Sequence, residues 1–247
     1  MIVHGGRTTY GHELGILMLD TRFPRIPGDI GNAASFQFPV AYEVVVGASP
    51  RRVVQDADRS LLDPFISAAH RLESLGVGAI TTSCGFLAIF QKELSAAIAV
   101  PFYSSSLLQI PFLYGIFGSR GKAGILTARA GALTDRHFQA CDAQNIPMAI
   151  GGMDKSPEFT RVFLEMGEGS NSKTLDTNLV ESEMTSVARE LVSSHPDISF
   201  IVLECTNMPP FRDAIRRATG KPVFDIITLS KYIHDGLCLN WRTPCTA

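Results

Sequence analysis

The sequence has little excess charge of either sign. Its 22 lysines and arginines stand against 24 aspartates and glutamates, a net charge of −2. That balance leaves no basic footprint for nucleic acid, so no nucleic-acid partner is expected. No apolar run reaches the roughly 18 residues of a membrane span, so no membrane partner is expected either. The opening stretch MIVHGGRTTYGHELG lacks the apolar core and small-residue cleavage site of a signal peptide. Cysteine is sparse and odd in number. Cys84, Cys141, Cys205, Cys238 and Cys245 show no metal-type pair spacing. In a chain of 247 residues this argues against a disulfide scaffold and for free thiols in a reducing cytoplasm. The six histidines are scattered without ligand spacing, so no metal is expected; His70, His137 and His234 read as surface or packing residues. No nucleophile elbow is present, and the glycine-rich GIFGSRGKAG (115–124) lacks Walker spacing.

What is there is a repeating alternation of strand and helix. LGILML (14–19) and YEVVVGA (42–48) read as buried strands. ADRSLLDPFISAAHRLESLG (57–76) has helical spacing and ends on Gly76. VGAITTS is the next strand, FLAIFQKELSAAI (86–98) the next helix, and VPFYSS a short strand. The second half repeats the order with AGILTA (123–128), PMAIGGM (147–153), the helix NLVESEMTSVARELVSS (178–194), ISFIVLE (198–204), the helix PPFRDAIRRATG and the strand KPVFDII. The fold class is therefore α/β. It consists of two pseudo-symmetric lobes, each a parallel sheet flanked by helices, with the active site in the cleft between them.

The register after two cysteines carries the repeat furthest. Cys84 to Pro101 is 17 positions, and Cys205 to Pro222 is also 17. Before them the spacing differs: Gly15 to Cys84 is 69 positions and Gly124 to Cys205 is 81, with the extra length assigned to the polar stretch 167–178. Each thiol therefore ends an equivalent strand, where open parallel sheets bind ligands. Each also precedes a helix, whose N–H groups lower a thiol's pKa. Two such thiols facing across a cleft suit acid–base chemistry: one takes a proton from a carbon acid and the other returns one.

This doubled cysteine pattern resembles the cofactor-independent Asp/Glu racemase superfamily. That group includes aspartate, glutamate and hydantoin racemases, maleate isomerase and arylmalonate decarboxylase. The resemblance covers nearly the whole chain. It implies Cys84 and Cys205 as the catalytic pair, with no cofactor. It also puts Asp20 and Thr21, at the end of the first strand, near Cys84. Thr206 matches the Cys-Thr pair of the second site. The first site departs from glutamate racemases, reading Cys84-Gly85-Phe86 in place of Cys-Asn-Thr, and the second reads Cys205-Thr206-Asn207 in place of Cys-Thr-His. Phe86 makes the first side more apolar and points away from glutamate.

Further substrate-binding candidates are Arg22 and Asn32 in the twenty-residue loop 20–40, which also carries Arg25 and Asp29. Ser83, Gly85, Phe86 and Asn207 flank the thiols, and Thr127 ends the first strand of the second lobe. Glu204, preceding Cys205 on a strand, is expected to point away from it. The expected boundaries are 1–116 plus 222–247 for the first lobe and 117–221 for the second, the final strand and helix returning to the first. The leading expectation is an isomerase, a racemase or epimerase inverting a carbon beside a carboxyl or carbonyl. Its substrate would be an amino-acid or hydantoin-like carboxylate, and a homo-oligomer is possible. The rivals are a decarboxylase or maleate-type isomerase on the same scaffold, or a non-catalytic small-molecule binding protein.

Overall fold

Eight strands form two separate four-stranded sheets in this computed structural model, which describes residues 5–165 and 173–237. β1 (Leu14–Leu19), β2 (Val40–Val45), β3 (Ala79–Thr82) and β4 (Phe102–Tyr103) make the first sheet, ordered β2-β1-β3-β4. β5 (Lys122–Thr127), β6 (Met148–Gly152), β7 (Ile198–Leu203) and β8 (Val223–Phe224) make the second, ordered β6-β5-β7-β8. Every pairing is parallel. The two orders are the same, which is the structural form of the repeat in the sequence. The central strand β1 is buried along its whole length, as expected for a sheet covered on both faces.

The helices lie where their apolar stripes require. α1 (Leu62–Leu75) buries Phe65, Ala68, Ala69 and Leu72, spaced three or four residues apart, and stops at Gly76 in the left-handed conformation (φ 81°). The segment 86–98 is not one helix. A 3-10 turn, Gly85–Phe90, comes first, with all six residues buried, and α2 (Gln91–Ala97) follows. α3 (Ile110–Ile116) leads out of the first lobe, and α4 (Asp135–Ala140) opens with a capping box between Thr134 and His137. The single turn α5 (Pro157–Phe159) precedes α6 (Thr177–Ser194), whose Asp176 cap accepts the N–H groups of Asn178 and Leu179. α7 (Arg212–Thr219) ends on Gly220 at φ 67°. α8 (Ile226–Leu237) closes the described chain.

The last strand corrects one expectation. β8 does not return to the first lobe; it pairs with β7, with Ile201 opposite Val223 and Val202 opposite Phe224. The reason lies in the repeat itself. After α7 a short connection leaves room only for the adjacent place in the same sheet, as β4 takes the place beside β3 after α2. The helix behaves differently. Ile226, Ile227 and Leu229 of α8 pack with Leu14, Ile16, Met18 and Tyr103 of the first lobe. The Tyr103 hydroxyl donates to Ser230 Oγ at 3.0 Å. Cys238 and Cys245, and residues 167–172 of the stretch 167–178, lie outside the described residues.

Candidate active site

β3 and β7 stop at Thr82 and Leu203, so Ser83-Cys84 and Glu204-Cys205 leave equivalent strands at their carboxyl ends. Both thiols line one pocket. Its polar lining also includes Thr21, Arg25, Ser83, Glu204, Thr206 and Asn207; Phe23, Val54, Phe86 and Phe163 contribute to its apolar walls. The enclosed space is small, about 30 Å³, so the pocket is nearly closed. Two π-helical turns help close it, one from each lobe at matching places after β2 and β6. Arg51–Gln55 supplies Val54, and Thr160–Leu164 supplies Phe163 and Leu164. Phe23 meets Phe163 edge-on at 5.0 Å between centroids. A wider groove of about 670 Å³ between α3, α7 and α8 contains neither thiol.

The lobes are tied together beside the sulfurs. Thr206 Oγ1 donates to Ser83 O at 2.6 Å, and Ser106 Oγ donates to Leu203 O at 2.7 Å. Ser83 Oγ in turn accepts the Leu19 N–H at 2.9 Å, fixing the β3 exit against β1. From the loop after β1, Arg25 donates to Asp29 Oδ1 at 2.7 Å and to Thr21 Oγ1 at 2.9 Å, and its guanidinium lies 4.6 Å above the Phe23 ring. The other oxygen of Asp29 accepts Asn207 Nδ2 at 2.7 Å, while Asn207 Oδ1 accepts the Cys205 thiol at 3.6 Å. Asp29 thus orients both a cation and the partner of a thiol.

The two sulfurs sit in unlike surroundings. Cys84 is held in extended backbone just before the 3-10 turn; the Leu87 N–H bonds its carbonyl oxygen at 3.1 Å, and the nearby Phe86 and Leu87 N–H groups pull its thiol pKa down. Burial, and then the Glu204 carboxylate, nevertheless push its thiol up to about 12. Burial and Glu204 also hold the Cys205 thiol well above the ordinary cysteine range, against one opposing N–H from Asn207. Glu204 itself has no solvent exposure. Its Oε2 accepts Thr127 Oγ1 at 2.7 Å, and burial raises its carboxyl to about 7. Both thiols are therefore held in the protonated form near neutral pH.

Several expected residues lie elsewhere. Asp20 and Arg22 pair with each other at 2.8 Å, and the Arg22 side chain is 76% exposed. The turn after β1 carries them outward and brings Thr21 and Arg25 inward. Asn32 is a cap: its Oδ1 accepts the Ala34 N–H and its Nδ2 donates to Arg25 O. Thr127 stands behind Glu204 and not on the pocket wall. Thr21, Ser83, Gly85, Phe86, Thr206 and Asn207 do line the pocket. Glu204 does so too, against expectation. Strand alternation would turn it away, but β7 ends at Leu203, so the alternation does not reach it. Gly85 makes the room: a Cβ there would fall 2.3 Å from Glu204 Oε1. Cys141 is buried in the core as packing.

No protein-family profile matches the chain. Over 238 residues it is 32% identical to a protein of Durusdinium sp. clade D named dimethylsulfoniopropionate lyase, covering 93% of this chain and 76% of that one. The chain belongs to the dimethylsulfoniopropionate lyase family. A second member, dimethylsulfoniopropionate lyase 7 of Emiliania huxleyi, is 31% identical over 226 residues, 87% of this chain and 64% of the relative. The chain thus spans about two thirds to three quarters of these relatives. The fold is that of the Asp/Glu racemase group. Allantoin racemase from Klebsiella pneumoniae superposes with a TM-score of 0.61 at 13% identity, covering 92% of this chain and 87% of that one. Unliganded arylmalonate decarboxylase superposes at 0.59 and 13%, covering 93% and 94%.

The family overturns the expected racemase and its isomerase class. The relatives are named as lyases, while the racemase likeness lies at 13% identity and concerns the scaffold. A pair of thiols across a cleft is compatible with inversion, but it is equally compatible with reactions that use a base on one face. Nothing in the repeat distinguishes the two.

Proposed function

We propose that this chain is a lyase that cleaves dimethylsulfoniopropionate into dimethyl sulfide and acrylate, with a pocket thiolate as the base. The observation that carries the reading is the 32% identity to the Durusdinium protein across 93% of the chain. The pocket chemistry supports it. The substrate has a carboxylate on Cα and a sulfonium on the neighbouring carbon. A thiolate removes the Cα proton, and that electron pair becomes the C=C bond of acrylate. The C–S bond breaks, its electrons stay on sulfur, and dimethyl sulfide leaves as a neutral molecule. One proton is released overall. A positively charged leaving group needs no acid, so one base suffices.

Arg25 is the group suited to the substrate carboxylate, being held in the wall by Asp29 and Thr21. Phe23, Phe86 and Phe163 line the pocket, where a ring face turned to the methylated sulfonium attracts it. The raised thiols fit a base that is formed only when needed. A sulfonium beside them offsets the negative field of Glu204 and favours the thiolate once substrate is in place.

The test is to incubate the protein in deuterated water with dimethylsulfoniopropionate and, separately, with chiral amino acids and hydantoins. The expected result is dimethyl sulfide and acrylate in equal amounts, with no deuterium entering the chiral acids. Deuterium at a stereocentre with no dimethyl sulfide would overturn the reading.

A further inference from the structure

We propose that the Glu204 carboxylate is the counter-ion of the substrate's sulfonium group, and therefore the residue that selects a cationic ligand over a neutral one of the same shape. The inference rests on the lyase reading above and deepens it.

Glu204 lines the thiol pocket yet has no solvent exposure. The carboxyl takes Thr127 Oγ1 on Oε2 and feels the nearby Ala128 N–H, whereas its Oε1 makes no hydrogen bond among the described residues. A buried carboxylate oxygen left in that condition is costly unless a cation or donor meets it. None of the described residues provides such a cation. No ion pair to Glu204 is formed among the described residues, and the pocket's Arg25 is already committed to Asp29. The ionisable groups in the field of Glu204 are the Cys84, Cys205 and Cys141 thiols, all of them acids whose anions would repel it. Beyond Phe86, whose ring meets His137 edge-on at 5.5 Å, burial lowers the His137 imidazole pKa, keeping it neutral. A ligand is therefore the available source of positive charge.

The chain is also built to admit this carboxylate. A Cβ at residue 85 would stand 2.3 Å from Glu204 Oε1 and 2.3 Å from its backbone oxygen, so only glycine fits. Cys84 lies in the fields of both Glu204 and Arg25, the first raising its thiol pKa and the second lowering it. A zwitterion with its cation toward Glu204 and its carboxylate toward Arg25 presents the carbon between them to that thiol. Alone in the pocket, the Glu204 carboxyl is raised to about 7. A bound cation favours its ionised form, so binding below that pH releases a proton and weakens as the pH falls.

The experiment uses two non-reacting probes of one shape, 3-(trimethylammonio)propionate and 4,4-dimethylpentanoate, with binding to the whole chain measured by calorimetry. Above neutral pH the wild type should prefer the ammonium probe by about tenfold or more. Glu204→Gln should abolish the preference without weakening the neutral probe, and Glu204→Asp should restore part of it. A role confined to structure would weaken both probes alike, and that result, or an undiminished preference in Glu204→Gln, would overturn the proposal. The wild type offers a second arm that needs no variant: its preference should decline as the pH falls through about 7, and a flat profile would also overturn it. The two readings fail separately. Preference for the ammonium probe without release of dimethyl sulfide removes the lyase reading alone. Turnover of dimethylsulfoniopropionate with no ammonium preference removes the counter-ion alone.

Discussion

The hydroxyl of Thr206 donates to the carbonyl of Ser83 at 2.6 Å, and each of these residues is the chain neighbour of a pocket thiol. One buried hydrogen bond therefore joins the two lobes at the place where they present Cys84 and Cys205. Thr206→Val keeps the shape and removes the donor, leaving Ser83 O unpaired. The expected cost is about 1–2 kcal/mol of stability, read by denaturant unfolding. kcat/KM should fall as well, because the bond sets the separation of the two sites. A variant with wild-type kinetics would show that the lobes need no tie at this point.

Gly85→Ala should be severe. The added methyl would meet both the carboxylate and the backbone oxygen of Glu204 at 2.3 Å. Glu204→Ala should not rescue it, because the backbone oxygen remains. The expected outcome is a lowered melting temperature and loss of activity in both the single and the double variant. Restored activity in the double variant would place the conflict in the carboxylate alone.

Arg25→Lys tests the carboxylate site. Lysine keeps the charge but cannot donate to Asp29 and Thr21 from one planar fork while also facing a ligand. The expected effect is a KM raised about tenfold with a smaller change in kcat, measured by steady-state release of dimethyl sulfide.

The pH dependence follows from Glu204 and the thiols. The folded-state pKa of Glu204, about 7, lies above its ordinary 4.5, so the folded protein holds this proton longer than the unfolded chain. Its contribution to stability is present below about 4.5 and is lost as the pH rises through about 7. Glu204→Gln should flatten the decline in melting temperature across that window. The thiols are raised further, Cys84 to about 12, so thiolate in the free protein is scarce near neutrality. kcat/KM should accordingly climb with pH on the alkaline side. A rate that falls there would mean that the base is not a thiol.

The sequence carried most of the scaffold, because its information lay in distances along the chain. The two 17-residue intervals from cysteine to proline correspond to matching turns of helix between β3 and β4 and between β7 and β8. The thiols lie where strand ends must lie. What escaped reading were side chains whose direction depends on the last residue of an element. Glu204 lies one residue beyond β7, so the two-residue alternation no longer applies to it. Asp20 and Arg22 face out while Thr21 and Arg25 face in, because the chain turns there without a regular period. The closing aromatics Phe23 and Phe163 come from a loop and a π turn 140 residues apart, a proximity that no local pattern contains. The reaction class was equally hidden, since inversion and elimination ask for the same base in the same cleft.

The central claim is tested most directly by Cys84→Ser and Cys205→Ser, each assayed for dimethyl sulfide release from dimethylsulfoniopropionate after circular dichroism shows the fold retained. The thiols have unlike surroundings: the Cys205 thiol donates to Asn207 Oδ1, whereas Cys84 stands before the fully buried 3-10 turn Gly85–Phe90 with no such bond among the described residues. Elimination needs a base on one face only, so the account predicts unequal losses. One variant should fall by about a hundredfold or more and the other by less. Wild-type rates in both variants would contradict it.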